Sequence, residues 1–278
     1  MASINSSKID PPRYIREVLS QGVRPDGRVL DESRPISINI DSFQNADGSA
    51  IVKIGNTSLV CGIKLELAKP KPETPNQGYV IPNVDLPPLC SGQYQPGPPS
   101  DFAQEVTKFV DEVLQSSNCI DLRDLCIAPD RLAWVVYLDI ICLNQDGNVF
   151  DACLAATIAA LRTTTIPHVT YNAENGEKTV DVSKRRKLVV RSTPVSTTTA
   201  IFESNCLLID PTAEEEALSS GTITIVMESE TGKICGVHHP GSDPLKPDEL
   251  NDCISQAEKK AKAVAELINT AILSGEKN

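Results

Sequence analysis

A chain of 278 residues, 40% hydrophobic and 23% charged, can bury a sizeable core as one large or two smaller domains, which excludes a disordered or purely linking role. The formal net charge of −11 argues against autonomous binding to duplex DNA or anionic membrane, because such binding is driven by counterion release from clustered Lys and Arg. Nine cysteines, an odd number without a CxxC pair, mostly sit in apolar runs and read as free thiols of a reducing compartment.

Met1 to Asp10 is polar and Ser-rich, without the apolar stretch of a secretory signal, and no run approaches the length that spans a bilayer; a soluble intracellular protein is expected. Pro11 to Gln21 reads as a short helix ended by Gly22. In AIVKIGNTSLVCGIKLEL, β-branched residues flank a Gly55-Asn56 turn signal and predict a hairpin from about Ser49 to Leu67. Pro70, Pro72 and Pro75 then mark an exposed loop. From Asp101 to Gln115, Phe102, Val106, Phe109, Val110, Val113 and Leu114 recur at helical spacing, and Asp101 with Gln104 fits a capping-box-like start. LAWVVYLDIICLN, Leu132 to Asn144, is apolar on both faces and predicts a central strand.

The stretch NQDGNVFDACLAATIAAL turns that strand into an Ala-rich helix whose start has the form of an anion cradle. Its first turn carries Asp151 instead of a cation. A carboxylate about 5 Å from a phosphate dianion opposes binding by several kcal/mol at an effective dielectric of about 20, whereas the helix dipole returns only about 0.3 to 1 kcal/mol. The expectation is therefore that Asn148 caps the helix and Asp151 complements its dipole.

After Arg162 a polar segment, NAENGEKTVDVSKRRK, separates this unit from strands expected near Leu188 to Val190, Ala200 to Phe202, Cys206 to Ile209, Thr222 to Met227 and Lys233 to His238. A final helix is predicted from Asp248 to about Ile272, with Leu250, Ile254, Ala257, Ala261, Val264, Leu267 and Ile268 on one stripe and Lys259, Lys260 and Lys262 mostly on other faces. Lys184, Arg185, Arg186 and Lys187 form the densest positive patch, expected as a solvated loop or strand entry, with RNA or an acidic neighbour as the functional alternative. His168 is expected in a loop and the pair His238-His239 at a strand end; three histidines without a spaced Cys or Asp partner make no case for zinc.

RPDGR at Arg24 to Arg28, DGSAIVKIGNTSLVCGI at Asp47 to Ile63, LDIICLNQDGNVFDACLAATIAAL at Leu138 to Leu161 and LLIDPTAEEEAL at Leu207 to Leu218 occur in the order that resembles the RNase PH family of phosphorolytic ribonucleases. GYVIPNVDLPPLCSGQYQPGPP, Gly78 to Pro99, and the DPTAEEE run resemble in particular its eukaryotic RNA exosome ring subunits. The resemblance implies an α+β fold, a first domain like domain 2 of ribosomal protein S5 and a smaller second α/β domain. The corresponding division is an N-terminal extension at 1–23, a first domain at 24–168, a connecting segment at 169–187 and a second domain with the C-terminal helix at 188–278.

Active members of the family place a Gly-Thr-Arg or Gly-Ser-Arg triplet after the Asp-Gly pair, where this chain has Asn148, Val149 and Phe150. Their basic pair at the start of the long helix aligns with Asp101 and Phe102, expected here as a helix cap and a core-facing aromatic. Their two acidic residues align with Asp210 and Glu216, for which a solvated loop or an interface role is expected. The resemblance thus implies a non-catalytic subunit without a cofactor. It would form an obligate pair with another RNase PH-like chain in a six-membered ring, beneath S1 and KH cap subunits, with associated hydrolytic ribonucleases and single-stranded RNA threaded through the pore. It also implies residence in nucleus, nucleolus and cytoplasm and no membrane partner. The rivals are a phosphate-dependent 3′-to-5′ exoribonuclease completed by a partner's arginines, and a free-standing RNA-binding module, against which the acidic charge weighs.

Overall fold

In the computed structural model, residues 18–19, 22–172, 176–202, 206–241 and 244–275 are described. The expected helix at Pro11 to Gln21 lies almost entirely outside them. Gly22, at φ +74°, donates its N–H to the Leu19 carbonyl.

The first half is a six-stranded sheet. Strands β1 (Ile36–Ile40), β2 (Gly48–Ile54), β3 (Thr57–Ala68), β4 (Tyr79–Asp85), β5 (Cys126–Ala128) and β6 (Leu132–Asn144) take the order β1-β2-β3-β6-β4, with β5 added alongside β6. The β2–β3 pair is the hairpin predicted at Gly55-Asn56, in register from Ile54 opposite Thr57. β6 occupies the interior position that its doubly apolar sequence demands, antiparallel to β3 and parallel to β4. Helix α1 (Asp101–Ser116) covers β4 with Val106, Phe109, Val110 and Val113. Its cap is Ser100 and not Asp101: Ser100 accepts the Ala103 N–H through its side chain, and Asp101 is an exposed first-turn residue.

The second half is a four-stranded antiparallel sheet ordered β10-β9-β11-β12. It comprises β9 (Pro194–Phe202), β10 (Cys206–Ile209), β11 (Gly221–Glu228) and β12 (Ile234–His238). Leu188 to Val190, expected as a strand, is irregular; the strand lies earlier. The polar segment is largely a two-stranded hairpin, β7 (Thr165–Tyr171) with β8 (Lys178–Lys187), which places His168 in a strand and not in a loop. Because β8 is exposed on both faces, its hydropathy carries no alternation to read.

Helix α2 (Val149–Thr163) joins the two halves. It packs on β2 and β3 on one side and β9 on the other, and every residue from Val149 to Leu161 is buried. Alanines let its backbone approach both sheets closely, so the main core cluster runs through both halves, with a smaller one of Leu19, Ala200, Phe202 and Leu208 beside it. A short helix, α3 (Ala213–Leu218), carries the run Glu214 to Glu216, and α4 (Pro247–Gly275) lies over β9, β11 and β1. The α4 stripe buries Ala257, Ala261, Val264 and Ile268, while Leu250 and Leu267 remain substantially exposed. All nine cysteines are free thiols.

Candidate functional site

The start of α2 lies against the Asp210–Glu216 segment. Gly147 makes this possible: at φ +73°, a Cβ there would come 2.5 Å from the Pro211 carbonyl oxygen. Asn148 follows in the left-handed region (φ 56°, ψ 45°) and makes no side-chain cap bond, contrary to expectation. Its amide Nδ2 instead donates to Asp210 Oδ1, and its backbone N–H donates to Glu216 Oε1 at 2.7 Å.

Asp210 is fully buried rather than solvated. Oδ1 accepts from Arg34 Nη2 (2.8 Å) and Asn148 Nδ2. Oδ2 accepts from the Arg34 N–H (2.7 Å), Arg34 Nε (2.9 Å) and Arg28 Nη1 (3.3 Å). A carboxylate has about four lone-pair sites, so none is left for a metal ion or a travelling proton. Burial alone would raise its pKa, but the Arg34 hydrogen bonds, with the charges of Lys260 and Arg34, hold it well below the usual carboxylate range.

Behind Asp210, Arg24 is buried and forks onto Glu215, with Nε 2.9 Å from Oε1, while Nη1 and Nη2 donate to the Ile209 and Asp210 carbonyls. Glu215 also completes a capping box with Thr212, the device that starts α3. Glu216 sits differently. Burial pushes its pKa up to about 7; the Asn148 N–H and Arg34 oppose this, and the nearby Asp151 and Asp210 charges add to it.

Asp151 does not act as the capping-box carboxylate the sequence suggested. It reaches out of α2 to the second half, accepting from the Thr198 N–H (3.1 Å), Thr198 Oγ1 (2.9 Å) and Lys260 Nζ (2.7 Å). Lys260 was expected mostly off the buried face of α4; its side chain is only 9% exposed because Asp151 draws it inward.

Phe102 and Phe150, the two positions at which the resemblance led to an expectation of arginines in active members, meet each other. Their rings contact edge-to-face at 5.7 Å, and Phe150 also packs on Phe109 and His238, each at 5.0 Å. His238 Nε2 lies 3.1 Å from Glu105 Oε1, tying β12 to α1. Phe102 is half-buried and packs against the main core, and Val149 is buried within it. The basic run 184–187 stands apart on β8. Arg185 pairs with Asp47 and Thr165, Arg186 donates to the Asp124 carbonyl, and Lys184 pairs with Asp181. The structure therefore gathers Asn148, Asp151, Asp210 and Glu216 around the α2 start, places the aromatic pair beside it, and leaves the basic run elsewhere. Sequence reasoning missed Arg34, Glu215 and Lys260. Arg24 and Arg28 were visible only as part of the RPDGR motif.

This architecture, two α/β halves clasping an Ala-rich helix whose start meets an Asp-Pro-Thr segment, defines an RNase PH-type chain. Family models for the 3′ exoribonuclease (RNase PH) family match residues 32–167 as domain 1 and 192–260 as domain 2. The chain belongs to that family. It is 43% identical over 254 residues to the exosome complex component rrp43 of Schizosaccharomyces pombe, covering 91% of this chain and 93% of that protein. Against the exosome complex component Rrp42 of Pyrococcus furiosus the identity is 37% over 93% and 92% of the two chains. A chain of an Archaeoglobus fulgidus exosome with RNA bound to the active site superposes with a TM-score of 0.82 at 33% identity, covering 92% and 96% of the two chains. Rice Rrp46, at 16% identity and a TM-score of 0.68, shares the fold.

Proposed function

We propose that this chain is a non-catalytic ring subunit of an RNA exosome, supporting 3′-to-5′ RNA processing and degradation by helping to form the channel that threads RNA. The observation that carries the reading is the Phe102–Phe150 contact: two positions where active relatives hold arginines are joined in one aromatic cluster. Phosphorolysis needs cationic or N–H groups aimed at the transferring phosphoryl group. At the α2 start the Asn148 N–H is directed at Glu216, and the Arg34 guanidinium at Asp210.

The names of the relatives support exosome membership. On this reading the chain pairs with another RNase PH-like subunit in a hexameric ring, with S1 and KH subunits capping it and hydrolytic ribonucleases degrading the RNA that passes through. It works in nucleus, nucleolus and cytoplasm, including rRNA processing. The test is to incubate the chain, alone and assembled with an RNase PH-like partner, with single-stranded RNA and millimolar phosphate, and to assay nucleoside diphosphate release. No release attributable to this chain is expected. Release that is lost when Asp210 or Glu216 of this chain is replaced overturns the reading and favours a site completed by a partner's arginines.

A further inference from the structure

A groove at the outer edge of the first sheet takes no part in the network described above. It encloses about 1230 Å³ between the Pro-rich loop after β3, the start of β4, the last turns of α1 and the 3-10 turn Leu122–Leu125. Gly78 shapes its entrance, since a Cβ there would lie 2.4 Å from the Trp134 carbonyl oxygen.

The backbone along this edge is only briefly open. The Val84 N–H leaves the sheet for Thr107 Oγ1 at 3.1 Å, so with a strand period of two the outward-facing groups are those of Val80, Pro82 and Val84. Pro82 has no N–H and the Val84 N–H is taken. Of these three, among the described residues, only Val80 keeps both an outward N–H and an outward C=O without a bond to a side chain or loop, beside the cavity. An incoming strand can pair there for one rung and must depart at Pro82, which also stops the edge from templating an open-ended sheet.

The side chains supply the selectivity. Val80, Ile81, Leu114 and Val135 give the groove an apolar lining. Above it, Tyr79 Oη donates to the Lys69 backbone carbonyl at 2.9 Å, and Lys71 Nζ stands 5.6 Å from the centre of the Tyr79 ring, so one tyrosine anchors the Lys69 backbone and faces the Lys71 ammonium. Neither Lys69 nor Lys71 has an ion pair among the described residues. Arg123 and Arg191, on the far wall, are already paired, Arg123 with Asp121 at 2.9 Å and Arg191 with Asp121 at 2.7 Å and Asp124 at 2.8 Å.

We propose that this groove docks an extended, alternately acidic and apolar peptide segment of a partner protein. Apolar side chains at alternate positions would enter the floor, and carboxylates between them would meet Lys69 and Lys71. RNA fits less well: it brings a charge with every nucleotide and no aliphatic side chain for the floor, whereas Glu73, Asp111 and Asp121 also line the groove and confine the carboxylates of any ligand to the neighbourhood of Lys69 and Lys71. The proposal goes beyond the ring reading and does not depend on whether the chain is catalytic.

The test is fluorescence anisotropy of the full chain, or of its assembled complex, with a labelled Glu-Val-Glu-Ile-Glu-Val-Glu peptide. The same peptide with Lys for Glu and a short oligouridylate are the other two probes. Saturable binding of the acidic peptide alone is expected, weakened about fivefold or more by Lys69→Glu with Lys71→Glu, the scale of two partly exposed ion pairs. Hydrogen exchange at the Val80 amide should slow in the complex. Absence of saturable binding, binding unaffected by the two substitutions, or oligouridylate binding that those substitutions abolish overturns the proposal. None of these outcomes bears on nucleoside diphosphate release, so the two readings fail separately.

Discussion

Replacing Glu216 by Gln should make the protein more stable at pH 8 and leave it unchanged at pH 4.5. In the fold its pKa is raised to about 7 from an ordinary 4.5, chiefly by burial and then by the Asp151 and Asp210 charges. A carboxyl with a raised folded pKa contributes stability that is complete below the unfolded value, falls as pH rises through the folded value, and is absent above it. At 1.36 kcal/mol per tenfold change, the span from 4.5 to about 7 corresponds to about 3 kcal/mol, a ceiling because the side chain retains some access to water. Glutamine keeps an acceptor for the Asn148 N–H and presents an uncharged N–H toward the acidic neighbours, so it resembles the protonated acid at every pH. Urea unfolding of both proteins at several pH values between 4.5 and 8 measures the difference. The variant should gain about 2 to 3 kcal/mol above pH 7, with the gain closing between pH 7 and 4.5. A variant that is equally or less stable at pH 8, or a difference that persists unchanged to pH 4.5, would refute the reasoning.

Three further outcomes follow from the same geometry. Lys260→Met leaves Asp151 buried without its cation and should cost about 3 to 5 kcal/mol in chemical denaturation, much of it recovered in the double variant with Asp151→Asn, since removing both charges spares the uncompensated ion. Phe150→Arg with Val149→Thr restores two members of the family triplet but drives a guanidinium among Phe102, Phe109 and His238; it should destabilise the chain by about 3 kcal/mol or more and give no phosphorolysis in the nucleoside diphosphate assay. Adding millimolar phosphate at constant ionic strength should leave the Tm unchanged in differential scanning fluorimetry; a rise that grows with phosphate concentration would reveal a site that binds it.

The elements legible in the sequence were those whose cause is local. The hairpin at Gly55-Asn56 is announced by its turn residues, α1 by its 3.6 periodicity, and β6 by apolar residues on both faces. The hairpin built from β7 and β8 was missed because a strand exposed on both sides has no hydrophobic alternation. The site was half legible. The resemblance led to Asn148, Phe150, Asp210 and Glu216, but what they do depends on partners far away in the chain: Arg34 lies 176 residues from Asp210, and Arg24 lies 191 from Glu215. Local rules made Asn148 a cap and Asp151 its complement; both stand at those positions, N-cap and first turn, but their side chains bond tertiary partners, Asp210 for Asn148 and Thr198 with Lys260 for Asp151, and not the helix start. RPDGR was the signal that could have marked Arg24 and Arg28, through the family resemblance it carries. Nothing local distinguishes Lys260 from Lys259 or Lys262.

The carboxylate in the anion cradle has a physical answer in these partners. Arg24, Arg28, Arg34 and Lys260 converge on the seam between the two halves, and four cations there require counter-charge. A phosphate or an RNA backbone could supply it transiently; here Asp151, Asp210, Glu215 and Glu216 supply it permanently from within the chain. The substitution is geometric as well as electrostatic, because Glu216 takes the Asn148 N–H at the head of α2 and Asp151 binds Lys260 across to α4. On the proposed reading, an entering phosphate would have to compete with carboxylates that already hold these donors. The start of α2 is thereby a charged seam, in which buried ion pairs hold the second half of the molecule to the first.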